Sequence, residues 1–270
     1  MFRLITVSVI KYIRLYSDLH LEFGPFMVPE MDTDNETLLI LAGDITVYPF
    51  SQIWFAQLVK RFAKIIYVLG NHEYYRGHII KTREIIDETF SEEFFTDKIE
   101  VVDSARKIEL NGLRILAGTL WTDAGKGDIS VISAIKYGMN DFRLITGSNG
   151  YPLHPNETMA IFDKTVEQFK QWLNEPFDGK TLIVTHHLPT YQAIDPIFKE
   201  DYHRLNGGYA SSLDNLILDH EPDYWFFGHS HMSNNFHLGK THLMSNPRGY
   251  VNKNGDPENK QFDPNFLIEL

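Results

Sequence analysis

Five times along this chain a short run of branched or aromatic residues stops at a small polar cluster. Tyr12 to Tyr16 ends in Ser17-Asp18-Leu19-His20, and Leu38 to Ala42 ends in Gly43-Asp44. Ile65 to Leu69 ends in Gly70-Asn71-His72-Glu73, and Leu182 to Val184 in Thr185-His186-His187. Tyr224 to Phe227 ends in Gly228-His229-Ser230-His231. Short apolar runs bounded by turn residues read as buried strands. A buried strand followed by a turn places the polar cluster at a sheet rim. Further strands are expected at 101–102, 107–110, 114–120 and 241–244.

Helical spacing of apolar residues appears between the strands, over 50–63, 78–90, 157–173 and 211–218. The clearest stripe is Met159, Phe162, Val166, Phe169 and Leu173. Strands alternating with helices predict an α/β fold, and the strand-rich middle suggests a layered sandwich of two sheets. The 270 residues suit one domain spanning 1–270. The polar stretch 252–265 reads as an ordered surface loop, because Phe266-Leu267-Ile268 behind it calls for burial.

Composition excludes several functions. There are no cysteines, so disulfides, thiolate metal sites and a cysteine nucleophile are ruled out. No stretch approaches the ~20 apolar residues of a membrane span. Met1 to Asp18 reads as the lead-in to a first strand, interrupted by Lys11 and Arg14, and not as a signal peptide. A soluble cytoplasmic protein is the expectation. The net charge of -11 disfavours long nucleic acid as a partner. It leaves a small phosphate substrate open, because a bound metal reverses the local sign.

Asp18, His20, Asp44, Asn71, His186, His229 and His231 all follow candidate strands, and the carboxyl ends of strands are where α/β sheets bind ligands. Taken singly, each has a plain structural reading. Asp18 and Asp44 suit turns, Asn71 suits a helix N-cap, and His186 beside His187 suits one buried and one exposed ring. His78, His154, His203, His220, His237 and His242 lie outside the clusters and need no metal. The shared position of five clusters favours convergence on one site. Oxygen and nitrogen donors without sulfur suit manganese, iron or zinc, with manganese first.

In order, D-x-H, G-D, G-N-H-E, T-H-H and G-H-S-H resemble the calcineurin-like metallophosphoesterase superfamily from residue 18 to residue 231. The resemblance implies a four-layer α/β/β/α sandwich holding two divalent metals. It places Asp18, His20 and His231 on the first metal, and Asn71, His186 and His229 on the second, with Asp44 bridging. Extended backbone after the strand would point His229 and His231 the same way. Such a pair of ions generates hydroxide that attacks phosphorus. His72 would act as the general acid, and Glu73 either orients it or caps the following turn. His187, Arg143 and Arg248 are candidates for gripping substrate, as are Asn71 and His72. The Val-Asp-Arg-Gly run of the protein phosphatases is missing after Gly43-Asp44, where Ile45-Thr46-Val47-Tyr48-Pro49 stands. The expectation is therefore hydrolysis of a small or nucleotide-like phosphodiester or monoester. The alternatives are a non-catalytic scaffold of the same fold that binds a protein partner, and a purely structural metal site.

Overall fold

The computed structural model describes residues 9–49, 52–198 and 204–270. The lead-in at 1–8, the start of the expected helix at 50–51 and His203 lie outside the described residues. Eleven strands are present among the described residues. They are β1 Tyr12–Tyr16, β2 Thr37–Ala42, β3 Lys64–Val68, β4 Ile99–Val102, β5 Arg106–Leu110 and β6 Leu113–Gly118. β7 Lys180–Thr185, β8 Tyr224–Phe226, β9 Asn234–Leu238, β10 Thr241–Ser245 and β11 Ile268–Glu269 complete them.

The strands make two mixed sheets, ordered β11-β1-β2-β3-β4 and β5-β6-β7-β8-β10-β9. In the first, β1 to β4 run parallel and β11 closes one edge antiparallel; in the second, β6, β7, β8 and β10 run parallel between antiparallel β5 and β9. Alternation along the strands builds the layers. In β2, Leu38, Ile40 and Ala42 face the second sheet, where Ile115, Leu182 and Phe226 meet them. Leu39 and Leu41 face the opposite way, onto Phe55, Ile86 and Phe90 of the helices Gln52–Val59 and Lys81–Phe90. The outer face of the second sheet takes Phe162, Val166 and Phe169 of helix Pro155–Leu173, and Leu216 and Ile217 of helix Asp214–His220. This is the α/β/β/α sandwich. Phe169 is fully buried, and truncating it to alanine would cost about 3–5 kcal/mol.

Three features depart from the sequence reading. Residues between β6 and β7 include an additional helix, Ile129–Gly138, capped by Asp128, which accepts from Ser130 N and Val131 N. Its exposed Ile129 and Tyr137 blur the amphipathic stripe. Strand β9 was not expected, because NNFHL is polar and buries only Asn234 fully. Phe266 packs only partly, and Ile268 enters the first sheet as the edge strand β11 beside Ile13. No helix among the described residues is long and apolar enough to cross a membrane.

Parallel register brings the strand ends together. Tyr16 of β1 pairs with Leu41, and Ala42 pairs with Val68 of β3. In the second sheet, Gly118 pairs with Thr185, and Val184 with Phe226. Hydrogen bonds join the two rims. His186 Nδ1 lies 2.9 Å from Ala42 O, Thr119 Oγ1 donates to Leu69 O at 2.6 Å, and Asn246 Nδ2 donates to Leu15 O at 2.9 Å.

Candidate metal centre

The loops leaving these strands turn sharply. Asp18, His20, Asp44, His229 and His231 all have left-handed backbone, with φ of 49°, 44°, 54°, 71° and 52°. Each such residue costs about 1–3 kcal/mol, and surrounding structure must impose it. Backbone bonds do so: Asp18 N donates to Gly43 O at 2.9 Å, His20 N to Asp44 O at 3.1 Å, and Gly228 N to His186 O at 2.9 Å. Extended backbone therefore does not explain the spacing of His229 and His231. The strand ends at Phe226, and two left-handed residues around Ser230 direct the rings.

Close approach of backbone frames the centre. A Cβ on Gly70 would sit 2.1 Å from Asp44 Oδ1, and one on Gly43 would sit 2.2 Å from His186 Nδ1. Only glycine fits at either position.

Among the described residues three donor groups form: Asp18-His20-His231, Asp44-His186-His229, and His20-Glu22-His72, which shares His20 with the first. Asn71 joins the second, with Oδ1 3.0 Å from His186 Nε2. Asp44 lies between the first two: Oδ1 is 3.3 Å from His186 Nε2 and Oδ2 is 4.0 Å from His20 Nε2. The backbone N–H of His72 donates to Asp44 Oδ1 at 2.8 Å, fixing that carboxylate.

The hydrogen bonds behind the rings show how the donors are aimed. His20 Nδ1 faces Glu22 at 3.1 Å, and His231 Nδ1 faces Glu258 at 2.8 Å. Each ring thus directs its N–H outward to a carboxylate, an arrangement typical of metal-ligating histidine. Their Nε2 atoms meet at 3.0 Å. In the neutral rings two lone pairs would face each other there, which is unfavourable without a cation. His186 is similar: Nδ1 is turned to Ala42 O, so Nε2 points at the acceptor oxygens of Asn71 and Asp44. His229 Nε2 is buried and has no hydrogen-bond partner. Oxygen and imidazole donors turned inward fit divalent ions.

Electrostatics agree. Burial disfavours the charge on Asp44, yet His186 and His72 beside it hold its carboxyl well below the usual range. Burial lowers His186, but Asp44 more than compensates and the ring is raised to about 10. A proton does there what a metal ion would do.

Neighbouring residues orient this set. Glu22 was not anticipated from the sequence, although it stands two residues after His20. Its Oε1 is 3.3 Å from His72 Nδ1, and the His72 ring stacks on Tyr75 at 4.1 Å. Burial opposes ionisation of Glu22, but His20 and His72 pull it down to about 2. Asp141 was also missed. It accepts from Asn71 Nδ2 at 2.8 Å and Tyr75 OH at 2.7 Å, which turns Asn71 Oδ1 towards His186. The signal for Asp141 was a carboxylate opening the turn Asp141–Leu144; nothing local ties it to Asn71.

Four further candidates are placed as follows. Glu73 neither orients His72 nor merely caps a turn. Fully buried, it accepts from Ile45 N and Gly70 N, each at 2.8 Å, from Asp44 N at 3.2 Å and from Tyr67 OH at 2.8 Å, clamping the Asp44 loop. Burial and the nearby Asp44 raise its carboxyl to about 7. Arg248 is buried and donates to the carbonyls of Leu19, Gly24 and Pro25. It braces the loop after His20 and does not reach the cavity. Arg143 is exposed and bonded to Asn140, outside the cavity lining. His187 is buried behind His229, 4.2 Å from ring to ring, with Nδ1 on Thr119 O. Burial, reinforced by His186, lowers it to about 3 and keeps it neutral.

In front of the donors is a cavity of about 210 Å³. His72, Asn71, Tyr75, Tyr209 and Tyr250 line it, with Met139 and Leu205 on its outer side. Among the described residues, no lysine or arginine lines it.

Residues 13–233 match the family described as calcineurin-like phosphoesterase. Uncharacterised protein L509 of Acanthamoeba polyphaga mimivirus is 25% identical over 294 residues, covering 96% of this chain and 97% of that protein. The crystal structure of phosphopantetheinyl hydrolase (PptH) from Mycobacterium tuberculosis is similar in fold, with a TM-score of 0.67, 17% identity and 91% of each chain covered. With its two-sheet sandwich and a match across most of its length, this chain belongs to the calcineurin-like phosphoesterase family.

Proposed function

We propose that the protein is a metal-dependent phosphoesterase with two divalent ions, acting on a small phosphate ester within one domain. The observation that carries this reading is the inward aim of imidazole nitrogens at acceptor atoms, at His20-His231 and at His186 with Asn71 and Asp44. Asp18, His20 and His231 would hold one ion; Asn71, His186 and His229 the other; Asp44 both. Manganese suits these donors, as do iron and zinc. Bound ions supply positive charge for the phosphoryl oxygens and acidify a water nucleophile.

The chain's own residues perform the remaining tasks. His72 carries a proton on Nε2, 3.4 Å from Tyr250 OH and 3.9 Å from Asp44 Oδ2, and gives it to the leaving oxygen. Glu22 on Nδ1 and the Tyr75 stack fix the ring for that transfer. Burial lowers His72, but Asp44 and Glu22 raise it to about 9, so the acid form predominates at neutral pH. Asn71 faces the cavity with its amide set by Asp141. Among the described residues no lysine or arginine lines the cavity, so besides the ions only the protonated His72 meets the ester's charge, which favours a singly charged diester.

The test is a panel of phosphodiesters and monoesters offered to metal-stripped protein with single ions restored. Hydrolysis that returns with one divalent ion is expected. Folded, metal-loaded protein that cleaves nothing in the panel would leave the scaffold reading in its place.

A further inference from the structure

Beside the metal cavity lies a second cavity of about 430 Å³. Leu205 and Tyr209 line both, so they form a common wall. Tyr209 packs on the His229 ring, with centroids 4.8 Å apart. Glu258, also in the second cavity, is the carboxylate on His231 Nδ1. Ser230 lines it too, between the two histidines, and its Oγ is buried without a hydrogen-bond partner. The second cavity therefore adjoins the centre at both histidines of the Gly228-to-His231 loop.

Its chemistry differs from that of its neighbour. Ile194, Phe198, Leu205 and Tyr209 give it apolar walls. Phe198 keeps 47% of its surface exposed. The charged groups are Asp195 and Glu258, and among the described residues no lysine or arginine lines it. The volume lies in the range of small-molecule sites.

We propose that this second cavity holds the organic arm of the phosphate ester, and that the arm is an uncharged, extended, mainly apolar group. The inference rests on the phosphoesterase reading above. With phosphorus at the metals, an ester arm crossing the Leu205–Tyr209 wall buries its carbon chain against Phe198 and Ile194. An arm bearing further phosphates or carboxylates meets Asp195 and Glu258, the latter already paired with His231, and among the described residues no lysine or arginine lines the cavity to offset them. The chemistry selects against nucleoside polyphosphates and for esters of neutral alcohols.

The test is calorimetric binding of n-alkylphosphonates, from methyl to octyl, to manganese-loaded protein. Kd is expected to fall roughly fourfold for each methylene that becomes buried, then to level off. A terminal carboxylate should weaken binding at least about tenfold against the alkyl compound of equal length, through carboxylate desolvation and repulsion. Phe198→Asp should flatten the length series while methylphosphonate binds as before, and Phe198→Leu should keep the series. Methylphosphonate binding with no length dependence in the unmodified protein would overturn the cavity assignment and leave the phosphoesterase reading standing. Tight binding of the terminal carboxylates would overturn the uncharged arm. No phosphonate binding with both metals in place would overturn both readings.

Discussion

Glu22 and His72 come from separate loops of the first sheet, yet Glu22 Oε1 lies 3.3 Å from His72 Nδ1. The same oxygen is 3.1 Å from His20 Nδ1, so one carboxylate sets the orientation of a proposed ligand and of the proposed acid. Glu22→Gln should lower turnover by roughly 10–100-fold, the usual effect of removing such a supporting partner. Metal content measured on the purified variant should fall less than turnover. Turnover equal to that of the unmodified protein would remove Glu22 from the site.

His72→Ala should lower turnover by about 10²–10⁴-fold with metal content nearly unchanged. The loss should shrink for esters with very good leaving groups, which need no proton. Asp44 and Glu22 raise His72 in the metal-free protein, and activity on poor leaving groups should be present while His72 is protonated and lost as pH rises through its pKa in the metal-loaded enzyme. Glu22→Gln should move this limb to lower pH, since it removes a negative charge that favours the imidazolium. An equal loss for good and poor leaving groups in His72→Ala would argue against the acid role.

Asp44→Asn should remove activity and weaken both metals, since its two oxygens face the two donor groups. Gly70→Ala should do the same without changing any donor, because the new Cβ falls 2.1 Å from Asp44 Oδ1. Elemental analysis decides both cases. Two full equivalents of metal with unchanged turnover in Asp44→Asn would exclude it as the bridge.

Metal binding should release protons. His186 is raised to about 10; burial lowers His231, but its bond to Glu258 together with the charges of Asp18, Glu258 and Asp44 raises it. At neutral pH His186 favours the protonated form, and metal ligation requires the neutral ring. Apparent affinity should therefore rise with pH. Titrations in buffers of different ionisation enthalpy should show about one or more protons released per chain; no release would contradict the protonated resting state.

Diesters should be cleaved at least as well as monoesters. No lysine or arginine among the described residues lines the metal cavity, and Arg143 and Arg248 are both engaged elsewhere. Besides the ions, a dianionic monoester finds only the protonated His72 there. Turnover of a bis-aryl phosphate against the matching mono-aryl phosphate, with manganese at one pH, makes the comparison. A strong monoester preference would overturn this reading.

The sequence by itself determined the layers and the rim. The uniformly apolar run at 38–42 and the stripe from Phe162 to Phe169 are local patterns, so buried strands and a helical face are legible in one dimension, while which side of β2 meets which layer is not. The five clusters were legible for the same reason: each directly follows its own strand, and parallel register carries all the strand ends to one side. Only tertiary structure decided where longer side chains point. Arg248 read as a candidate for gripping substrate and Glu73 as either a support for His72 or a turn cap, but buried backbone groups claim both. Glu22 and Asp141 read as ordinary loop carboxylates, yet the fold turns them onto His72 and Asn71. The left-handed backbone at His229 and His231 is likewise imposed from outside. Hydrogen-bond demand in a buried rim is met by whichever group folding brings near, and that proximity is a property of packing between sheets, not of spacing along the chain.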